Sequence, residues 1–547
     1  MTLVSEKTRK HSEFSSSNST QKLKKLAEKP FDLTKEGNLT PERLAKFYAE
    51  SCGYKFLYGT ERVTEEVMRT LVDLAGEAKA LEKMEKMQSG EVMNHIEGYP
   101  SENRTVLHTA TRDFFEHPNQ AKPAAAAAKL SRQELDKLKA FLEKIDKEGR
   151  FTDLIAIGIG GSDLGPRAHY IALEKHLKPG RKVHFISNVD PDDAALNLKG
   201  IDLKKALVVV VSKTGTTLES LTNEALVKAR FLKMGLKPEE HFISVTSEKS
   251  PMDDPKKYLA CFHVWDWVGG RFSVTSMVGG VILAYAFGID VFWEFLKGAN
   301  AMDKAALTPS IVTNLPLLSA LLGIWNRNFL GYPTVALIPY SNALLRYSAH
   351  LQQLDMESNG KRIDQKGYPV DFLTGPIIWG EPGTNAQHSY FQLIHQGTDL
   401  IPLEFIGFKE SQFQEDLEVK ETTSQEKLLA NLFAQMIALA KGQQSDNPNQ
   451  VFEGNRPSHL LLGKQLTPFA LGALLAYYEH KVAFQGFIWR INSFDQEGVQ
   501  LGKVLANKLI ERFAAKRKGV EGTSYPLGDS LIKFFNLGKI KSCRHGL

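Results

Sequence analysis

Apolar residues in this chain are grouped in two recurring ways, and the alternation between them is most regular after residue 150. Short runs of apolar, often branched residues at 153–157, 182–187, 206–211, 241–245 and 261–265 read as strands. Stretches between them, such as 219–234, carry apolar positions three and four apart, as a helix does. A second series begins near residue 333. It predicts strands at 335–338, 377–379, 401–405 and 459–462, and helices at 343–356, 386–395, 427–440, 468–489 and 498–513. Such alternation predicts an α/β fold of two doubly wound parallel-sheet domains, each a three-layer αβα sandwich. Residues 41–147 read as a helical region ahead of them, with the alanines of 124–128 inside a helix. Residues 442–454 read as a loop. The apolar run 277–289 is too short to span a bilayer, ends at Asp290 and reads as a buried helix.

A chain of 547 residues exceeds what one hydrophobic core supports. The expected segments are a disordered tail at 1–25, a helical region at 26–123 packing on the second domain, α/β domains at 124–300 and 301–515, and a C-terminal extension or arm at 516–547. The tail is rich in Ser, Lys and Thr, has no apolar signal core, and carries Glu6 and Glu13, which a transit peptide avoids. A net charge of +5 makes no case for a nucleic-acid binder. Cys52, Cys261 and Cys543 are scattered. That argues for a reducing, cytoplasmic setting and against a disulfide framework or a thiolate metal site.

Two strand-to-helix turns in the first domain have the makings of anion sites. Gly158-Ile159-Gly160-Gly161-Ser162-Asp163-Leu164-Gly165-Pro166 is dense in glycine, which lets backbone amides approach an anion at a helix start. Its spacing does not match G-x-G-x-x-G, and nothing else asks for a dinucleotide. Ser212-Lys213-Thr214-Gly215-Thr216-Thr217 follows an apolar strand and precedes a helix. Alone it reads equally as a Ser/Thr helix cap. Four hydroxyls in six residues exceed what one cap needs, which favours a phosphate ligand. G-x-x-x-x-G-K-[ST] is absent, and so are H-E-x-x-H and any Cys/His cluster, so neither a nucleoside triphosphate nor a metal is expected.

These turns occur in order with VGGRFS (268–273), DMESNGK (355–361), GEPGTNAQHSYFQL (380–393) and DQEGVQLGK (495–503). Together the blocks resemble the glucose-6-phosphate isomerase family, a family of sugar-isomerase (SIS) domains, from around Lys46 to about Phe513. The resemblance implies a cofactor-free aldose–ketose isomerase of glycolysis and gluconeogenesis. It would open the sugar ring and move one proton between neighbouring carbons through a cis-enediol. By motif position Glu357 is implied as the carbon base, and His388 as the ring-opening acid/base. Lys503 is implied to assist it, and Arg271 to stabilise the enediolate. Gly161, Ser162, Ser212, Lys213, Thr214, Thr217, Gly270, Gln353 and Gln496 are implied as substrate contacts. Glu219 either orients the site or answers the helix dipole. The family also implies a homodimer in which His388 is lent across the interface, with no nucleic-acid or membrane partner.

Each residue also has a plainer reading. Glu357 alone is a solvated helix-end acid, Arg271 a surface ion-pair residue, and His395 structural. Three positions depart from the family pattern: Gly215 where an aromatic is common, Leu218 for glutamine and Glu497 for tryptophan. None removes a chemical group that the reaction needs. The rival from another class is a non-catalytic phosphosugar-binding SIS module. It needs the SKTGTT turn but has no use for Glu357, His388, Arg271 and Lys503 together, and no convincing basic helix-turn-helix accompanies it. Mannose 6-phosphate remains an alternative substrate, because the enediol chemistry is identical.

Overall fold

The computed structural model describes residues 12–520 and 522–537. The first of these correct the expected disordered tail. Helices Glu13–Ser16 and Asn18–Ala27 are capped by Ser12 and Ser17, whose side chains accept from Ser15 N and Thr20 N. Phe14 and Leu23 are buried, and the Phe14 ring lies 4.5 Å from that of Phe372. Two apolar anchors and two caps hold residues 12–25 down despite a polar composition. The earlier part of that expected tail lies outside the described residues.

The region expected to be helical also contains four short strands. β1 (Tyr48–Ser51) and β2 (Tyr54–Leu57) form a hairpin. Its two-residue turn, Cys52-Gly53, has φ of 50° and 79°, the doubly left-handed backbone that matches strand twist. β3 (Val92–Asn94) and β4 (Arg104–Thr105) form a separate ribbon.

β5 (Asp153–Ile157), β6 (Lys182–Ile186), β7 (Ala206–Val211), β8 (Phe242–Thr246) and β9 (Ala260–His263) make an all-parallel sheet in the order β6-β5-β7-β8-β9. β10 (Thr334–Tyr340), β11 (Ile377–Trp379), β12 (Leu403–Glu410) and β13 (Ser458–Gln465) make the parallel part of a second sheet, ordered β1-β2-β13-β12-β10-β11. β2 pairs antiparallel with β13, so this sheet is mixed rather than purely parallel. β7 is buried at every position, as a strand covered by helices on both faces must be.

In each set of parallel strands the first, β5 or β10, lies between the second and the third, so the chain leaves it in both directions. The crevice at the carboxyl ends of β5 and β7 is such a switch point, the place where doubly wound sheets receive ligands. Both glycine- and threonine-rich turns open onto it, one after β5 and the other after β7.

Helix Pro468–Trp489 joins the halves. It is buried over most of its length and packs along helix Ile289–Ala305. A Cβ on Gly298 would meet Phe469 O at 1.9 Å, and one on Gly472 would meet Phe295 O at 1.9 Å, so the two backbones touch. Helix Met277–Phe287 is buried at every residue, in line with its apolar sequence. Gly270–Phe287, apolar enough by length and composition to cross a membrane, is 94% buried inside the protein. The borders drawn from sequence after residues 123, 300 and 515 each fall inside a helix: Lys122–Glu148, Ile289–Ala305 and Gln500–Lys518.

Candidate active site

The turn after β7 is built by its own hydroxyls. Ser212 and Thr217 hydroxyls lie 2.8 Å apart, as do those of Thr214 and Thr216, and Gly215 N donates to Ser212 O at 3.0 Å. Gly215 has φ of 67°, and a Cβ there would press on Ser250 Oγ at 3.0 Å. This explains the glycine at one of the three departures: the tight turn leaves no room for an aromatic without rebuilding. Thr217 caps helix Leu218–Lys233 without a side-chain hydrogen bond to it. The first amides of that helix therefore keep their donors and the positive end of its dipole. Lys213 Nζ donates to Val268 O at 3.3 Å and sits 3.8 Å from Asp266. Burial, with help from Arg104, lowers its ammonium from the usual range.

The turn after β5 folds as the 3-10 segment Gly160–Ser162. It meets a second 3-10 segment, Gly270–Phe272, in backbone contact: a Cβ on Gly161 would stand 2.2 Å from Gly270 O and 2.3 Å from its carbonyl carbon. A Cβ on Gly160 would lie 3.4 Å from Gln353 Nε2. Gln353 brings a buried Oε1 that has no hydrogen-bond partner among the described residues.

Arg271 is 2% exposed and gathers the rest. Its Nε donates to Ser358 Oγ at 2.6 Å. Its Nη1 donates to Glu357 Oε2 at 3.3 Å and to Gln496 Oε1 at 3.4 Å. Its Nη2 donates to the carbonyls of Ser493 at 2.5 Å and Asp495 at 3.1 Å. Complete burial lowers the guanidinium from its usual range, while Glu357 and Asp495 oppose the shift. A rigid fork with every arm occupied holds its position and remains a cation.

Glu357 closes the π-turn Gln352–Glu357, which follows helix Tyr347–Leu351. The continuous helix expected at 343–356 is thus widened at its end, a distortion common at functional sites. The side chain of Glu357 keeps 24% exposure, enough to meet a ligand. Behind it, Asn359 Nδ2 donates to Val482 O at 3.1 Å and Ser493 Oγ donates to Asn359 Oδ1 at 2.7 Å. Lys361 Nζ donates to Asp495 Oδ1 at 2.6 Å.

The fold therefore brings together Gly161, Ser162, Gly270, Arg271, Gln353, Glu357 and Gln496, with Ser212, Lys213, Thr214 and Thr217 at the neighbouring crevice. His388 and Lys503 are tied to this cluster by no hydrogen bond or ion pair among the described residues. His388 ends the 3-10 segment Asn385–His388, and Lys503 lies in helix Gln500–Lys518. Both are exposed, with no side-chain hydrogen bond or ion pair among the described residues. His395 behaves as a structural histidine: its Nε2 meets Gln435 Oε1 at 2.7 Å and its ring packs on Phe452. Glu219 lies in the first turn of its helix, and Leu218 and Glu497 are exposed. Ser358, Lys361, Ser493 and Asp495 went unassigned from sequence, although three of them stand inside the DMESNGK and DQEGVQLGK blocks.

A doubly wound fold with two donor-rich turns at a switch point and a carboxylate tied to a buried guanidinium defines an acid–base enzyme for a small anionic substrate. Residues 57–525 match the family described as phosphoglucose isomerase, and the chain belongs to that family. It is 62% identical over 523 residues to a glucose-6-phosphate isomerase from Protochlamydia amoebophila, covering 95% of this chain and 97% of the relative. It is 54% identical over 519 residues to the enzyme of that name from Chlamydia pneumoniae, covering 95% and 98%. The crystal structure of a glucose-6-phosphate isomerase from Chlamydia trachomatis superimposes with a TM-score of 0.92 at 50% identity, covering 96% of this chain and 99% of that one.

Proposed function

We propose that this protein interconverts glucose 6-phosphate and fructose 6-phosphate by proton transfer between C2 and C1, with no cofactor. The observation that carries the reading is the Arg271 fork, which holds Glu357 and Gln496 at one place beside the two anion-receiving turns. A phosphate seated on Ser212, Thr214, Thr217, Lys213 and the free amides of helix Leu218–Lys233 anchors one end of the sugar. Gly161, Ser162, Gly270 and Gln353 line its path, and Gln496 contacts its hydroxyls. Glu357 takes the proton from C2 of the open-chain aldose, and the electron pair of that bond forms the C1=C2 bond of the enediolate. Arg271 stabilises the negative oxygen without competing for the proton. The hydroxyl proton on O2 passes to O1, the carboxyl group returns its own proton to C1, and the C2 oxygen becomes the carbonyl of the ketose.

Ring opening needs an acid/base at the ring oxygen, a task for His388 assisted by Lys503. The exposure of both supports a homodimer in which the partner chain supplies His388, and in which helix Gln500–Lys518 closes on the sugar. The half built on β5 to β9 serves to bind the phosphate and the half built on β10 to β13 carries Glu357, in a cytoplasmic enzyme of glycolysis and gluconeogenesis.

The test is direct: purified protein incubated with fructose 6-phosphate forms glucose 6-phosphate equally with and without EDTA. Absence of product restores the non-catalytic binding module, and activity lost in EDTA but returned by zinc overturns the reading. For the shared site, the inactive variants Glu357→Gln and His388→Ala should regain activity when refolded together, because mixed dimers contain one intact site. No recovery would place His388 in its own subunit's site.

A further inference from the structure

The π-turn that ends at Glu357 has an inner side as well. Asp355 is 4% exposed, and its Oδ1 is buried without a hydrogen-bond partner among the described residues. Its carboxyl group lines a void of about 10 Å³, room for one water at most. β10 and β11 contribute only apolar side chains to the void, among them Val335 and Ile378. β12 contributes Glu404, and helix Pro468–Trp489 contributes Tyr478 and Lys481. Lys481 Nζ donates to Glu404 Oε1. Beyond them His459 Nε2 lies 4.0 Å from Glu404, and its Nδ1 is 2.8 Å from Glu61.

We propose that Asp355 is a positioning residue for Glu357: its buried carboxyl group, set against the Glu404–Lys481 ion pair, fixes the widened turn that aims Glu357 outward. The inference rests on the role proposed above for Glu357. Residues two apart on a helical turn point to different sides, so an anchor on the inside at 355 fixes what 357 presents outside. The widened geometry costs backbone energy that surrounding contacts must offset. Apolar packing alone does not require an acid here, and an unpartnered carboxyl in such a place is expensive unless it has a use.

The electrostatics define that use. Burial raises the acid of Asp355 to about 7, with Glu404 adding to the shift and Lys481 opposing it. Tyr478 stays protonated, its hydroxyl pushed well up by burial. A protonated Asp355 therefore faces the Glu404 carboxylate across the void without adding a second negative charge beside it. Once Asp355 ionises, two carboxylates share one ammonium, repulsion opens the void and the turn loosens. The phosphate turns lie elsewhere and are untouched, so kcat falls while KM stays put.

The experiment is the pH profile of kcat and KM for fructose 6-phosphate on the full-length protein and two variants. Asp355→Asn keeps the volume and a donor but cannot ionise. It should hold kcat within about threefold at pH 6.5 and lose the alkaline fall centred near neutrality. Asp355→Leu removes the anchor and should lose about tenfold or more in kcat, with KM within about twofold. An Asn variant that keeps the parent's alkaline limb, or a Leu variant that turns over at the parent rate, overturns the proposal. If the Leu variant does not fold, the Asn profile decides alone. A parent protein with no turnover at all sinks the isomerase reading, and this inference with it.

Discussion

Gly161→Ala is the substitution whose consequence follows most directly from the geometry. The added carbon would stand 2.2 Å from Gly270 O, 2.3 Å from its carbonyl carbon and 2.9 Å from its Cα. The first distance is more than 1 Å inside the ~3.5 Å optimum for non-bonded heavy atoms. The obstacle is backbone on both sides, so no side chain can swing away. The two turns must separate by about 1 Å, and the second of them carries Arg271. Misplacement of that size typically costs about 10²-fold in rate, while the overpacking itself costs about 1–3 kcal/mol of stability. We expect kcat/KM for fructose 6-phosphate to fall by about two orders of magnitude with a modest drop in melting temperature. Gly76→Ala is the control: it lies in helix Glu65–Glu77 and its Cβ meets nothing within 4 Å. It should leave activity unchanged and stabilise the fold by up to about 1 kcal/mol. If Gly161→Ala retains parent kcat/KM, contact between the two turns does not position Arg271, and the reasoning from close approach fails.

Three further outcomes are expected. Glu357→Gln should lose about 10²–10⁴-fold in kcat while still binding a non-isomerisable hexose phosphate; parent turnover would mean the carbon base is elsewhere. Arg112→Met strips the partner from Asp303, held at 2.7 Å, and from Glu479, also at 2.7 Å, deep in the core. It should destabilise by about 3–5 kcal/mol, and an unchanged melting temperature would contradict that. His169 is neutral and buried, with burial lowering its pKa from 6.5 to about 4. The unfolded chain takes up a proton there first, so the contribution of His169 is full above about pH 6.5 and is lost as pH falls to about 4. Melting curves across that window should be flatter for His169→Gln than for the parent, and identical slopes would refute the assignment.

Much of this was legible in sequence because fully buried strands announce themselves. Ala206–Val211 is an unbroken apolar run and Asp153–Ile157 is apolar after its first residue, and the pattern gives both their observed bounds. The hairpin β1–β2 was hidden because each strand has four residues and carries a charge, Glu50 or Lys55. Its sheet partner β13 is some four hundred residues away. The Cys52-Gly53 turn was the available signal. The π-turn was unreadable for a different reason: its widening depends on what Leu354 and Asp355 pack against, which local propensity does not encode. The same division runs through the site. Glu357, Arg271 and Gln496 were named from short motifs, yet the hub they form requires carbonyls of Ser493 and Asp495 folded onto residue 271. His388 and Lys503 are exposed and make no hydrogen bond or ion pair among the described residues, so the motif alone names them.

The central claim is that a side-chain carboxylate carries a proton between adjacent sugar carbons. Running fructose 6-phosphate to glucose 6-phosphate in deuterium oxide tests it most directly, by measuring deuterium bound at C2 of the product by NMR. The account predicts deuterium at C2 with the parent protein, since the acid proton on Glu357 exchanges with solvent before it returns, and none formed by Glu357→Gln in the same time. Product made at the parent rate with no solvent deuterium at C2 would mean that hydrogen passes between the carbons without visiting an exchangeable acid, and would contradict it.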